Sequence, residues 1–365
     1  MRILIAPVTI TPTKPLTPTH IKGFLWVDVL RKATSLLHAE VDCIWNPRTP
    51  NLSGQTIGFW NFLDQSHAAK NFSQLDEIEI GSLYVDYHAS GINTPVAAQD
   101  RYRSAIEEDG WIHPATARMV ELWCRQLDTL GIKNPGLRWD QRHLSSVNEI
   151  VGILQSEKLC LDHRSIGGPV YLDGTRWGVP LRIVVGTDGH PNYVITALRD
   201  IIPIVRKYDH VVLVHDDEIT PDFVLLQKVI THFGVTVSRL PLGRVPVGGQ
   251  VQSSRRGGWT GSTLGELSAE VLGSVPLDEY RLGMRLYFTA VLGRGVGASL
   301  DRAVLYRTMS RARRLLRSSN ADAIDAACYV AGHTSVYGWV DPYRLTSSLL
   351  GRNAPSTRLL DAVYL

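Results

Sequence analysis

The chain opens on a short apolar run, "RILIAPV" over 2–8, that closes in turn residues. Such a run predicts a buried strand of a parallel sheet. The stretch 19–39 follows, with Ile21, Leu25, Val29, Leu30, Leu36 and Leu37 at helical spacing. "EVDCIWN" (40–46) predicts a second strand. Strand, turn, helix and strand in sequence make a βαβ unit. Between about 57 and 165 the pattern changes. Helical segments dominate, notably 116–131 and 145–159, with no clear strand between them. Short strands return at 168–172, 181–185 and 210–217. A helix over 220–234 is stopped by Gly234, and "VTVSRLPL" predicts another strand. A glycine-rich loop spans 248–261, and the remainder reads as helical. The prediction is therefore an α/β protein with a doubly wound, Rossmann-like parallel sheet. Residues 1–270 form its nucleotide-binding catalytic domain, with the helical insertion at about 57–165. Residues 271–365 form a helical C-terminal region.

Composition changes this picture little. Of 365 residues, 44% are hydrophobic and 20% charged, which fits a globular protein with a large core. A net charge of +3 and a pI of about 8.6 are too mild to argue for nucleic acid alone. Cys43, Cys124, Cys160 and Cys328 are scattered and form no CxxC, which predicts reduced thiols rather than zinc ligands or disulfides. The N-terminal apolar run is too short for a signal peptide, and "AIDAACYVAGHTSVYGWV" is interrupted by Asp325 and His333. The expected compartment is the cytosol, without membrane contact.

Ligands of open parallel sheets sit at the carboxyl ends of the strands, where helix N-termini favour phosphate. Two segments here qualify. "TPTKPLTPTHIKG" (11–23) places His20 in the first turn of a helix, where a donor can reach nucleotide phosphates. A plain capping turn, with Thr17 or Thr19 as N-cap, competes with that reading. "VHDDE" offers Asp216 and Asp217 to a metal ion or a ribose, against the simpler reading of a solvated strand end. Further on, "SSRRGG" (253–258) puts Arg255 and Arg256 among small residues, a loop able to close over phosphates or merely a solvated basic one. The basic stretch 307–319 either tracks an RNA backbone or is a solvated helix face; its Leu315 and Leu316 and its lack of interleaved aromatics favour the latter.

In this order the segments resemble the catalytic domain of a class I aminoacyl-tRNA synthetase, closest to arginyl-tRNA synthetase. The resemblance covers about residues 1 to 315. The family's first signature, N-P-T-G-P-L-H-x-G-H-x-R-G followed by D-x-L-x-R, is met by "TPTKPLTPTHIKGFLWVDVLRK". His20 matches its second histidine, and Lys22, Gly23, Asp28 and Arg31 follow in step. "TDGHPNY" (187–193) meets S-D-G-x-x-x-Y, with Asp188 and Tyr193 in register. "LVHDD" (213–217) meets a strand ending G-A-D-H. "VQSSRRGG" (251–258) meets the loop K-M-S-S-R-K-G-N, with Ser253 and Ser254 in place.

The departures are specific. Thr17 stands for the first histidine of the first signature and Thr19 for its glycine. Val251 stands for the loop lysine. Lys14 is an added cation where the family has glycine. Thr11 and Ala197 replace the asparagine and aspartate that hold the family's substrate. Val214 and His215 replace the glycine and alanine of the strand end, which narrows the space for adenine or ribose.

The resemblance implies an HUP-type Rossmann core. It also implies AMP-forming activation of an amino acid or related acid by ATP with Mg2+, and transfer to an amine, a hydroxyl or tRNA. His20, Lys14, Arg255 and Arg256 are then the catalytic set. Thr17, Thr19, His20, Gly23, Asp216, Asp217, Ser253 and Ser254 bind ATP. Thr11, Asp188, Tyr193 and Ala197 line the substrate site, and no resident metal is expected. With its carboxylate missing, that site makes arginine a poor expectation. The first strand begins at Arg2, so the family's N-terminal tRNA-contacting domain is expected to be absent. About fifty residues follow Arg317, too few for an anticodon-binding domain. The alternative is a catalytically inactive paralog that binds amino acid, nucleotide or RNA in a regulatory role.

Overall fold

The computed structural model describes residues 1–38, 40–251, 253–319, 325–351 and 355–365. Ala39, at the end of the predicted helix 19–39, and Gln252, in the predicted loop 248–261, lie outside the described residues.

A four-stranded parallel sheet forms the centre, in the order β2-β1-β6-β7. Its strands are β1 (Arg2–Pro7), β2 (Glu40–Cys43), β6 (His210–Asp216) and β7 (Thr236–Leu242). β1 pairs with β6 through Ile3↔His210 to Pro7↔Val214, and β6 pairs with β7 along its whole length. Helix α1 (Pro18–Ser35) crosses from β1 to β2, and α9 (Thr220–His232) crosses from β6 to β7. The two crossovers run in opposite directions along the strand order, so the sheet is doubly wound and its switch point lies between β1 and β6. Side-chain alternation confirms the two covered faces. Ile3 and Ile5 pack with Trp26 and Leu30 of α1, while Leu4 and Ala6 pack with Leu226 and Ile230 of α9.

Helix α1 is central. Ile21 and Leu25 join the helices of the insertion, Trp26 and Leu30 cover the sheet, and Val29 and Ala33 meet the C-terminal helices. A helix buried on every side carries no narrow apolar stripe, and its sequence shows none. Its one buried carboxylate, Asp28, is ion-paired to Arg285 at 2.5 Å and to Lys32 at 3.1 Å.

Between β2 and the next strand run six helices: α2 (Arg48–Asn51), α3 (Gly54–Ser66), α4 (Glu77–Ser90), α5 (Val96–Asp109), α6 (Pro114–Thr129) and α7 (Val147–Ser156). Three short strands then form a separate antiparallel sheet: β3 (Cys160–Asp162), β4 (Val170–Leu172) and β5 (Arg182–Val185). So the segments 168–172 and 181–185 are strands, but they do not extend the parallel sheet, and β3 falls within the span expected to be helical. Helix α8 (Tyr193–Ile201) leads back to β6. After β7 come α10 (Leu264–Leu272), α11 (Leu277–Arg285), a π-helical turn (Leu286–Val291), α12 (Arg302–Ser318), α13 (Ala326–Ala331) and α14 (Pro342–Ser348). Among the described residues no helix is long and apolar enough to cross a membrane.

Candidate phosphate and acid site

The carboxyl ends of β1 and β6 meet the N-terminus of α1 at two adjoining cavities, as the topology requires. The first, about 370 Å³, is lined by Thr11, Lys14, Thr17, Thr19, His20, Tyr84, Asp216, Arg244, Val251, Ser253, Ser254 and Arg255, among others. The second, about 210 Å³, shares Thr11, Lys14, Thr19, His20 and Asp216 with it. Its other walls are largely apolar, including Phe24, Val27, Trp45, Val214 and Leu242, and Gly23 opens onto it. Together they are a charged chamber beside an apolar one.

Thr17 is the N-cap of α1 and Pro18 its first residue, where the missing N–H costs nothing. His20, three residues on, completes a capping box: its Nδ1 accepts from the Thr17 amide at 3.2 Å. The capping reading of this stretch therefore holds, and because capping uses only one ring nitrogen it leaves the other facing the cavity. Burial, then the charges of Lys14 and Arg244, push the His20 pKa down to about 3. The ring is neutral, Nδ1 is an acceptor, and the proton sits on Nε2, free to donate into the cavity.

Lys14 is deeply buried with no carboxylate partner among the described residues. Its ammonium lies 3.5 Å from the Thr11 hydroxyl and 5.3 Å from the Tyr84 ring centroid. Burial, then Arg255 and Arg244, lower its pKa to about 8. Its backbone is fixed, because Trp123 Nε1 donates to the Lys14 carbonyl at 3.2 Å. Arg244, two residues beyond β7, is paired with Glu218 at 2.5 Å. Asp216 has its pKa raised by burial, with Arg244 pulling the other way.

The loop wall is a 3-10 turn, Ser254–Arg256, capped by Ser253, whose hydroxyl accepts from the Arg255 amide at 3.4 Å. Trp259 anchors it by donating to the Ser254 carbonyl at 3.2 Å. Gly81 of α4 makes room for that indole: a Cβ there would sit 2.7 Å from the Trp259 ring. Arg255 lines the cavity; Arg256 is exposed and does not. Asp217 lines neither cavity.

The remaining predicted positions are not all together. Thr11 lines both main cavities. Tyr193 and Ala197 line a third recess of about 50 Å³, which meets the second at Pro7, Val8 and Thr9. The Tyr193 hydroxyl donates to Asp222. Asp200, one turn beyond Ala197, also lines this recess, but it already accepts from Asn46 Nδ2 at 2.8 Å and from the Leu144 amide at 3.1 Å. Asp188 sits in a turn away from all three, accepting from the His190 amide. Val214 and His215 line the second cavity. The His215 ring stacks on Phe223 and bonds the Asp216 carbonyl through Nδ1, and its Nε2 has no partner among the described residues.

Sequence reasoning missed Arg244, Tyr84 and Trp259. Arg244 carries a usable signal, since it lies two residues past a strand end. Tyr84 and Trp259 carry none, because only tertiary packing brings α4 to the loop. Among the described residues, no group of three or more His, Cys, Asp or Glu side chains is placed to hold a metal ion.

The fold belongs to the Rossmann-like class seen in class I aminoacyl-tRNA synthetases. An arginyl-tRNA synthetase structure from Thermus thermophilus aligns with 87% of this chain and 63% of its own length, with a TM-score of 0.57 and 10% identity. The chain thus spans less than two thirds of that enzyme. A Campylobacter jejuni structure, described as a candidate arginyl-tRNA synthetase, aligns over 100% of this chain and 88% of its own, at 0.56 and 12%. A Mycobacterium tuberculosis methionyl-tRNA synthetase in complex with methionyl-adenylate aligns over 99% and 82%, at 0.53 and 11%. At such identities the likeness is one of fold. No family model and no curated protein sequence matches the chain.

Proposed function

We propose that the chain is an adenylate-forming ligase that activates a small carboxylic acid, an amino acid or a relative of one, with ATP. The observation that carries this reading is the first cavity. It gathers His20 from α1, Lys14 from the preceding loop, Arg244 from the end of β7, and Ser253, Ser254 and Arg255 from a loop more than two hundred residues away in sequence. Three cations around one chamber with one lining carboxylate, Asp216, fit a polyphosphate. The adjoining apolar chamber fits a flat base.

In this reaction a carboxylate oxygen of the acid attacks the α-phosphorus, and the bond to the bridging oxygen of the β-phosphate breaks. Pyrophosphate leaves with that electron pair. His20 donates from Nε2 to a phosphate oxygen, and Lys14 and Arg255 oppose the charge that develops. Lys14 then takes the role of the cation missing at Val251. Asp216 is the cavity's carboxylate for a ribose hydroxyl. Mg2+ would accompany ATP and neutralise phosphate charge; among the described residues no cluster of ligating side chains is placed to hold it independently. Positioning and charge stabilisation suffice, and no acid–base pair is needed. Thr11, Tyr193 and Ala197 flank the acid. The recess at Ala197 holds only a few water-sized groups and offers no free carboxylate, so a guanidinium has no counter-charge there. The acyl group passes to an amine or hydroxyl acceptor, tRNA included.

A second reading, an inactive paralog that binds nucleotide without turnover, draws on the same site. Thr19 fills the position of the signature glycine, and its hydroxyl is taken by the Val245 amide at 3.1 Å. ATP–pyrophosphate exchange, screened across amino acids and short carboxylic acids, decides between the two. Exchange with one acid is the expected result. ATP binding without exchange for any acid leaves the second reading standing.

A further inference from the structure

Lys22 is one of the most deeply buried charges in the chain, and the reaction above does not use it. It lies on α1 two residues past His20. Its ammonium meets three backbone carbonyls: Gly243 at 2.8 Å, Gly295 at 3.1 Å and Arg294 at 3.2 Å. An ammonium has three protons, and these three acceptors use them all. No carboxylate pairs with it among the described residues; Asp216 and Asp217 act on it only from a distance.

The three carbonyls belong to two strands of loop that cross at close range. Gly243 sits at the crossing, and a Cβ there would lie 2.2 Å from the Val296 amide nitrogen. The Gly243 amide also donates to the Arg294 carbonyl at 2.7 Å. Arg244 is the next residue along. Beyond it, the Val245 amide donates to Thr19 Oγ1 on α1. Arg244 is therefore held on both sides by the same first turns of α1: by Lys22 before it and by Thr19 after it. A buried ammonium without a carboxylate is costly to keep. Here it ties the backbone of both crossing loops to α1.

We infer that Lys22 is a positioning residue for the polyphosphate cavity: it fixes Arg244 at the register set by His20, through the Gly243 carbonyl. The inference rests on the reading of that cavity as a polyphosphate site, but not on adenylation. A mutant cycle with inorganic triphosphate as probe tests it by calorimetry, well below the melting temperature. Lys22→Met should weaken triphosphate binding by about tenfold. Lys22→Met with Arg244→Ala should bind no more weakly than Arg244→Ala alone, because both act through one guanidinium. Hydrogen exchange at residues 243–245 should rise in Lys22→Met while β1 stays protected. Additive losses, or unchanged binding in Lys22→Met, overturn the inference. If Lys22→Met does not fold, Lys22→Gln, which keeps two donors, carries the same cycle. Triphosphate binding without pyrophosphate exchange sinks the adenylation reading and leaves Lys22 in place. Failure of the wild-type protein to bind triphosphate sinks both.

Discussion

Residues 12–20 and residues 253–258 line the same cavity, and they are held by different means. Pro12 to Leu16 are buried, the Lys14 carbonyl is bonded to Trp123, the Leu16 carbonyl accepts from the Leu264 amide, and His20 is locked into the cap of α1. The second segment is one 3-10 turn whose two arginines are exposed and which is secured chiefly by Trp259. One wall is set before any ligand arrives, and the other is free to adjust. Preorganised groups contribute most to charge stabilisation, because nothing must reorganise during the reaction. In the proposed reaction the heavier burden therefore falls on the first wall. That is also where the chain departs from the resembled signature by gaining Lys14.

The sharpest way to break this comparison is at Lys14. Lys14→Ala should abolish pyrophosphate exchange, a loss of about a thousandfold or more. Unchanged exchange would remove the fixed wall's advantage and end the proposed replacement of the loop lysine. A pH series is the next test. Lys14 must be protonated to attract phosphate, and its pKa is near 8, so kcat/KM should fall as pH rises through about 8. His20, pushed down to about 3, should give no acidic limb between pH 5 and 7. Stability runs the other way. The unfolded lysine keeps its proton to about 10.5 and the folded one only to about 8, so Lys14 makes the fold more stable as pH rises between them. Chemical denaturation at pH 7.5 and 9.5 checks that sign. The smallest effects lie on the adjustable wall. Arg255→Ala should raise KM for ATP about tenfold, and Arg256→Ala should change it by less than about twofold. Equal effects of the two arginines would show that the loop closes in a different register from the one seen here.

Much of the central sheet was legible in the sequence. β1 and β6 are largely apolar runs ended by turn residues, which is the pattern of strands covered on both faces, while β7, at the edge, mixes apolar and polar positions. Helix α1 was legible from its apolar spacing, with Thr17 one of two N-cap candidates, although it begins at Pro18 and ends at Ser35. Of the small antiparallel sheet, β4 and β5 were legible as strands, but β3 and the separate antiparallel pairing were not. Its strands are three or four residues long, too short for a period, and nothing local says whether they join the main sheet. The lining of the candidate site was legible at a strand's last residue, Asp216, and in a helix's first turn, at His20. It was illegible where partners are remote. Lys22 meets carbonyls 221 and more positions away, and Asp28 finds Arg285 across 257. The sequence pattern at both sites is that of an ordinary charged residue on a helix, and only the fold makes them buried.

Trp259 has one more consequence. Its indole is buried against Gly81 at one end of the arginine turn, while Val251, at the other end, is exposed. The stretch before the turn is held as well, by the mutual backbone bonds of Val247 and Gln250 and by the Gly249 amide on Ser299 Oγ. Arg255 therefore sits on a short span between two anchors, and the length of that span, not the affinity of the arginine, sets how far a closing stroke can carry it.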